Sequence, residues 1–232
     1  MRAVVTGGSG FIGTWVCEDL LSSGYEVVCI DNFLTSERHN ISQFFENDKF
    51  TFIEADVTDS PDIRGHVDFV LHLASPASPI DYQKIPVETM LVNSQGTYNM
   101  LKLAKENNAR FILASTSEVY GDPVQHPQSE EYWGNVNPIG VRSCYDEGKR
   151  FAEGLAMTFR RTYKTNTGIA RIFNTYGPRT RADDGRVITS FIKQALTGEA
   201  IKVFGNGSQT RSFCYISDMI RGIKTLMLSP EA

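Results

Sequence analysis

Arg2-Ala3-Val4-Val5-Thr6-Gly7-Gly8-Ser9-Gly10-Phe11-Ile12-Gly13 opens the chain and decides its fold. A short apolar run of strand length, Arg2–Thr6, passes directly into glycines at 7, 10 and 13. Phe11–Ser23 then repeats apolar residues four apart (Ile12, Val16, Leu20), which is the spacing of one helix face. Strand, glycine turn and helix in that order let a backbone approach a pyrophosphate closely. They also aim the free N–H groups of a helix start at its charge. The glycine pattern alone is weak evidence, and its strand-to-helix setting is what makes it specific.

Outward from this turn the same alternation continues. Strands are predicted at Glu26–Asp31, Phe50–Asp56, Phe69–Ala74, Arg110–Thr116 and Gly168–Phe173. Helices are predicted at Val87–Asn107 and Ser143–Tyr163. Continuous apolar strands separated by helices predict an α/β fold, a doubly wound parallel sheet covered on both faces. Beyond residue 174 the pattern loosens into Gly-, Arg- and Asn-rich loops. These frame a helix near Val187–Leu196, a short strand at Ile201–Phe204 and a helix near Asp218–Leu228. The expectation is a Rossmann domain over residues 1–173 and a smaller, partial substrate lobe over 174–232.

The chain has 232 residues, a formal net charge of −4 and 41% hydrophobic residues, a globular composition. Its charge is uneven: from residue 160 onward there are 12 basic and 5 acidic residues on a chain that is acidic overall. A basic end on an acidic protein points to an anionic ligand there rather than to nucleic acid. No apolar run reaches the roughly 18 residues that a membrane span needs. The first residues run straight into a strand, so no leader peptide is expected. Cys17, Cys29, Cys144 and Cys214 lie far apart and read as reduced thiols, which suggests a cytoplasmic protein. The four histidines show no ligand spacing, so no metal is expected.

Two stretches carry chemistry. The second strand ends at Asp31, where an acid accepts hydrogen bonds from ribose hydroxyls and repels a 2′-phosphate. NAD is therefore favoured over NADP, although Arg38 follows close behind. Further on, Tyr145-Asp146-Glu147-Gly148-Lys149 places a phenol and an amine one helical turn apart. An ammonium beside a phenol stabilises phenolate and makes it a usable base. Ser115-Thr116-Ser117-Glu118 ends the fifth strand, on the edge of an open α/β sheet where ligands bind.

These motifs together resemble a known family. The glycine turn, His72-Leu73-Ala74-Ser75, Ser115-Thr116-Ser117-Glu118-Val119-Tyr120-Gly121 and the Tyr145/Lys149 pair are similar to the extended short-chain dehydrogenase/reductases that act on nucleotide sugars. Other strings resemble its UDP-glucuronate decarboxylase branch: L-A-S-P-A-S-P at 73–79, H-P-Q-S-E at 126–130, N-P-I-G at 137–140 and C-Y-D-E-G-K-R at 144–150. R-I-F-N-T-Y-G-P-R at 171–179, D-G-R-V at 184–187 and G-S-Q-T-R-S-F at 207–213 do so as well. The resemblance implies NAD held by Gly7, Gly10, Phe11, Ile12 and Gly13, with Asp31, Asn32, Phe33 and Thr35 around the ribose. Asp56 and Val57 would border the adenine, Leu73 and Ser75 would line the fourth strand's end, and Thr175 and Arg179 would lie near the cofactor or diphosphate. It implies Tyr145 as proton acceptor, Lys149 as its partner and Thr116 as hydroxyl donor. Glu118 and Arg186 would face a sugar carboxylate, Asn174 and Arg211 the nucleotide diphosphate, and Tyr82 and Asn93 the sugar.

The chemistry so implied is oxidation of UDP-glucuronate at C4, loss of CO2 from the resulting β-keto acid and return of the hydrogen to give UDP-xylose. Ser117 stands where a 4,6-dehydratase carries an acid for its leaving hydroxyl, which disfavours that reaction but leaves a UDP-sugar 4-epimerase open. A catalytically silent NAD-binding regulator on the same fold is the alternative of a different class. The resemblance further implies a substrate lobe that continues beyond residue 232. It also implies a homodimer built by the helices around 87–107 and 143–163 as a four-helix bundle.

Overall fold

A computed structural model describes residues 1–229. Six parallel strands form the central sheet: β1 (Arg2–Thr6), β2 (Glu26–Asp31), β3 (Phe50–Glu54), β4 (Phe69–His72), β5 (Arg110–Thr116) and β6 (Thr167–Ile172). Their order across the sheet is β3-β2-β1-β4-β5-β6, so the chain winds outward from β1 in both directions. This is the doubly wound arrangement expected of the fold, with its switch point between β1 and β4.

The helices are α1 (Phe11–Ser22), α2 (Pro79–Tyr82), α3 (Pro86–Leu91), α4 (Thr97–Asn107), α5 (Ser143–Tyr163), α6 (Val187–Thr197) and α7 (Ile216–Leu228). Two short strands, β7 (Asn174–Tyr176) and β8 (Phe213–Tyr215), pair in parallel as a separate ribbon. Neither was expected, because three residues are too few to show a period in sequence.

The pleat sorts side chains between two cores. Ala3 and Val5 of β1 and Val27 and Cys29 of β2 join α1 and α7 on one face. Val4, Val28 and Ile30, with Phe111 and Leu113 of β5, join α4 and α5 on the other. Successive residues alternate faces, so each strand must be apolar throughout. The last helix belongs to this architecture: Ile216, Ile220, Ile223 and Met227 are buried in the first core beside α1.

Two expected elements differ. The single helix over 87–107 is α3 and α4 joined by a π-helical stretch, Val92–Gly96. Side chains satisfy carbonyls where the ladder widens: Thr97 Oγ1 donates to the Asn93 carbonyl at 2.8 Å and Ser94 Oγ to that of Met90 at 2.7 Å. At Ile201–Phe204 there is no strand. No neighbour presents an edge to it, and Val203 and Phe204 are left exposed. Among the described residues no helix is long and apolar enough to cross a membrane.

Candidate active site

One cleft of about 490 Å³ runs along the carboxyl ends of the strands. At one end lies the glycine turn. A Cβ on Gly13 would stand 2.1 Å from the Gly7 carbonyl oxygen and 2.7 Å from Gly8 Cα, so only glycine lets α1 start this close to β1. Gly10 is the N-cap of α1, and no side chain caps the helix. The first N–H groups of α1 are therefore free donors, with the positive end of the helix dipole behind them.

Asp31 ends β2 beside this turn. It accepts hydrogen bonds from the Ser9 and Phe33 amides at 3.0 and 2.9 Å and from Ser36 Oγ at 3.0 Å. These contacts orient the carboxylate at the cleft edge, where an acid opposes a phosphate. Arg38, which follows close behind in sequence, does not line the cleft: it pairs with Glu54 at 3.2 Å and lies over the rings of Phe45 and Phe52. Asn32 Nδ2 donates to Asp56 at 2.8 Å, joining the ends of β2 and β3 at the cleft. The uncapped helix start, the glycine cradle and the oriented acid together fit a dinucleotide without a 2′-phosphate.

The opposite end is built by β5 and α5. Tyr145, Lys149 and Glu153 recur every fourth residue, so they share one face of α5. Tyr145 and Lys149 are buried. Lys149 Nζ donates to the Ala114 carbonyl at 2.9 Å and lies 5.9 Å from the Tyr145 ring centroid. Burial pulls the amine down to about 7, against the attraction of Glu153. Burial also pushes the Tyr145 phenol well up, while the Thr116 hydroxyl, within hydrogen-bonding reach, pulls it back. Glu118 raises it further and Arg186 lowers it. Tyr82 stacks on Tyr145 with centroids 4.9 Å apart and planes within 2°. The α2 turn that carries Tyr82 starts at Ser78, whose side chain accepts from the Ile80 amide.

A second network braces the strand end. Glu153 accepts from Ser115 Oγ at 2.6 Å and from Arg171 at 2.9 and 2.7 Å. A phenol, an amine one turn behind it and a hydroxyl beside it can together move the proton of a carbinol hydroxyl if a hydride acceptor is bound alongside.

Gly7, Gly10, Phe11, Ile12, Gly13, Asp31, Asn32, Thr35, Asp56, Val57, Leu73 and Ser75 all line this cleft, as do Tyr82, Thr116, Glu118, Tyr145, Lys149, Asn174, Thr175, Arg179, Arg186 and Arg211. Two residues expected there do not. Phe33 turns its ring onto Phe52, 5.2 Å away. Asn93 is buried in the π-helical stretch, and its Nδ2 donates to Ser75 Oγ at 3.0 Å, so Ser75 stands between it and the cleft. Sequence reasoning missed Arg142, Arg181 and Ser36, which also line the cleft. Arg142 was within reach, since it precedes Tyr145 by three residues and shares its face. Ser36 and Arg181 carried no periodic signal, because both lie in loops.

The fold and the cleft define a dinucleotide-binding protein with a Tyr/Lys pair at the open end of its sheet. The chain belongs to the NAD dependent epimerase/dehydratase family, whose model matches residues 3–232. It is 54% identical over 227 residues to UDP-glucuronic acid decarboxylase 4 of Arabidopsis thaliana, a match covering 98% of this chain and 51% of that protein. The chain thus spans about half the length of this curated relative. The UDP-glucuronic acid 4-epimerase from Bacillus cereus, solved with UDP-glucuronic acid and NAD, is 32% identical with a TM-score of 0.82. That alignment covers 99% of this chain and 74% of the other. DesIV, a dTDP-glucose 4,6-dehydratase from Streptomyces venezuelae solved with NAD and TYD, is 27% identical with a TM-score of 0.87. There the coverage is 100% of this chain and 73% of the other. The motif-based resemblance to nucleotide-sugar enzymes therefore holds at the level of the family.

Proposed function

We propose that the protein decarboxylates UDP-glucuronate to UDP-xylose with NAD held in the same cleft. The observation that carries this reading is the convergence of Tyr145, Lys149 and Thr116 at the cleft end where Glu118, Arg142 and Arg186 also gather. The identity to decarboxylases supports the choice of sugar.

Bound NAD supplies a reversible two-electron oxidation at the sugar's C4. Tyr145 Oη takes the C4 hydroxyl proton, and the Lys149 amine one turn away accepts the phenol's own proton, so the pair acts as one base. Thr116 Oγ1 orients the same hydroxyl. Once C4 is a ketone, the C6 carboxylate is β to it. The C5–C6 bond then breaks as CO2 leaves, and its electron pair passes into an enolate at O4. Tyr145 and Thr116 donate to that oxygen; C5 is then protonated, and return of the hydride to C4 with the proton held by Tyr145 gives UDP-xylose. Ser117 offers no acid for expelling water, so the residues present suit loss of CO2 better than dehydration.

The Rossmann residues up to 173 would hold the cofactor, and the loops from Asn174 to Arg211 the diphosphate. We place the protein in the cytosol. Two copies would pair through α3, α4 and α5. Val87 and Met90 on α3, Tyr98 on α4 and Phe151 on α5 are exposed apolar residues, and an added Cβ at Gly154 would meet nothing within 4 Å. Incubation with UDP-glucuronate and NAD tests the reaction: release of CO2 and UDP-xylose supports it, and UDP-galacturonate as sole product makes the protein an epimerase. Absence of any turnover leaves the silent NAD-binding regulator.

A further inference from the structure

We propose that Arg142 selects the carboxylate-bearing sugar, its guanidinium leaving Glu118 to take the ligand's C6 carboxylate. This deepens the decarboxylase reading and rests on it.

Arg186 acts on the Tyr145 phenol and Arg142 on Tyr82, which stacks against that phenol, and each guanidinium already has a counter-ion. Arg186 is clamped to Asp184 through both Nε and Nη2, the second bond at 2.9 Å. The Asp184 side chain is only 9% exposed. Its segment is fixed as well: Ser78 Oγ donates to the Asp184 carbonyl at 2.7 Å, and Gly185 sits against Ile80. Freeing Arg186 would strand a nearly buried carboxylate without its counter-ion, which is strongly unfavourable. Arg142 instead pairs with Glu118. The Glu118 side chain is 35% exposed, so water can take over when the guanidinium leaves. Of the two, Arg142 is the cation that can change partner.

The surrounding charges require such a cation. Glu118 lines the cleft, and Asp146, on the first turn of α5, is buried with Oδ1 lacking a hydrogen-bond partner. Both carboxylates act electrostatically on Arg142. Without Arg142 an anionic sugar would meet the Glu118 carboxylate in the cleft with its counter-ion gone. With it, a neutral sugar leaves the Arg142–Glu118 pair undisturbed, and an acidic sugar replaces Glu118 on the guanidinium.

Titration calorimetry on the NAD-supplemented protein tests this, with UDP-glucuronate and its neutral counterpart UDP-glucose as ligands. Arg142→Met should weaken UDP-glucuronate binding by ~10-fold or more, the loss of one charge-assisted hydrogen bond. UDP-glucose binding should stay within about twofold, inside the scatter of such comparisons. Arg142→Lys should restore part of the preference. Glu118→Gln should tighten UDP-glucuronate binding, because the competitor for the guanidinium is gone; this second variant leaves α5 intact. The proposal is overturned if Arg142→Met weakens both sugars alike, if it keeps the wild-type preference, or if Glu118→Gln brings no gain. If the wild type does not distinguish the two sugars, the decarboxylase reading itself fails, which is a different result from an unchanged preference in the variant.

Discussion

Lys149 holds its amine in a place that favours the neutral form. Its native value near 7 lies below the ordinary 10.5. Between those values the folded state binds fewer protons than the unfolded chain, so stability rises with pH across about 7 to 10.5. Below that window the full cost of a buried ammonium is present. Lys149→Met removes this slope. Urea midpoints of variant and wild type should differ most at pH 6, with the variant the more stable, and should draw together by about pH 9.5. Tyr145→Phe keeps the stacked ring against Tyr82 and deletes only the hydroxyl. It should lower CO2 release by ~10²–10⁴-fold, the usual worth of a positioned acid–base group, with an unchanged circular dichroism spectrum. The Tyr145/Lys149 pair was legible because helix geometry alone makes residues four apart neighbours. Arg142 was not singled out, since its value depends on which acids the fold brings opposite it. Among the partners of Asp31, Phe33 and Ser36 lie in the loop that follows it, but Ser9 comes from the glycine turn 22 residues earlier, which only the fold brings alongside.

The start of α1 depends on what a glycine lacks. Gly13→Ala would set a methyl group against the Gly7 carbonyl and Gly8 backbone, neither of which can rotate away. Overpacking of this kind costs about 1–3 kcal/mol, so the melting temperature should fall measurably. NAD affinity should drop with it, because the free N–H groups of α1 shift; fluorescence titration with the reduced dinucleotide reads that loss. Strand and helix existence were readable wherever a period ran over five or more residues, and α5 has the bounds that its pattern predicts, Ser143–Tyr163. The π-helical stretch was not readable. It depends on Gly96 lying against Val57, where a Cβ would come within 2.8 Å of Val57 Cγ2, and on Asn93 finding Ser75. The missing strand at 201–204 has the converse explanation: apolar residues favour a strand only where another edge exists to pair with it.

Across the molecule, loops far apart in sequence close the cleft. Arg179 reaches Glu18 at 2.8 and 3.1 Å and lies over the Trp15 ring. Arg181 joins Asp81 at 3.1 and 2.9 Å and donates to the Thr35 carbonyl at 2.9 Å. The segment around 179–181 is thereby tied to both the cofactor end and α2. Asp81→Asn should weaken this tie and speed dissociation of bound dinucleotide severalfold, read by stopped-flow fluorescence. For the proposed pairing of two copies, Phe151→Glu puts a charge into the apolar contact and should halve the molar mass measured by light scattering. The basic character of the last third was visible as composition. The assignment of each guanidinium to Glu18, Asp81, Asp183, Asp184 or Glu118 was not. Local order along the chain dictated the parallel sheet, the glycine turn and the phenol–amine pair, because period, turn chemistry and helical spacing act over a few neighbouring residues. Folding in three dimensions decided which cations stay locked and which can be released, since burial and ion pairing join segments separated by tens to more than a hundred residues.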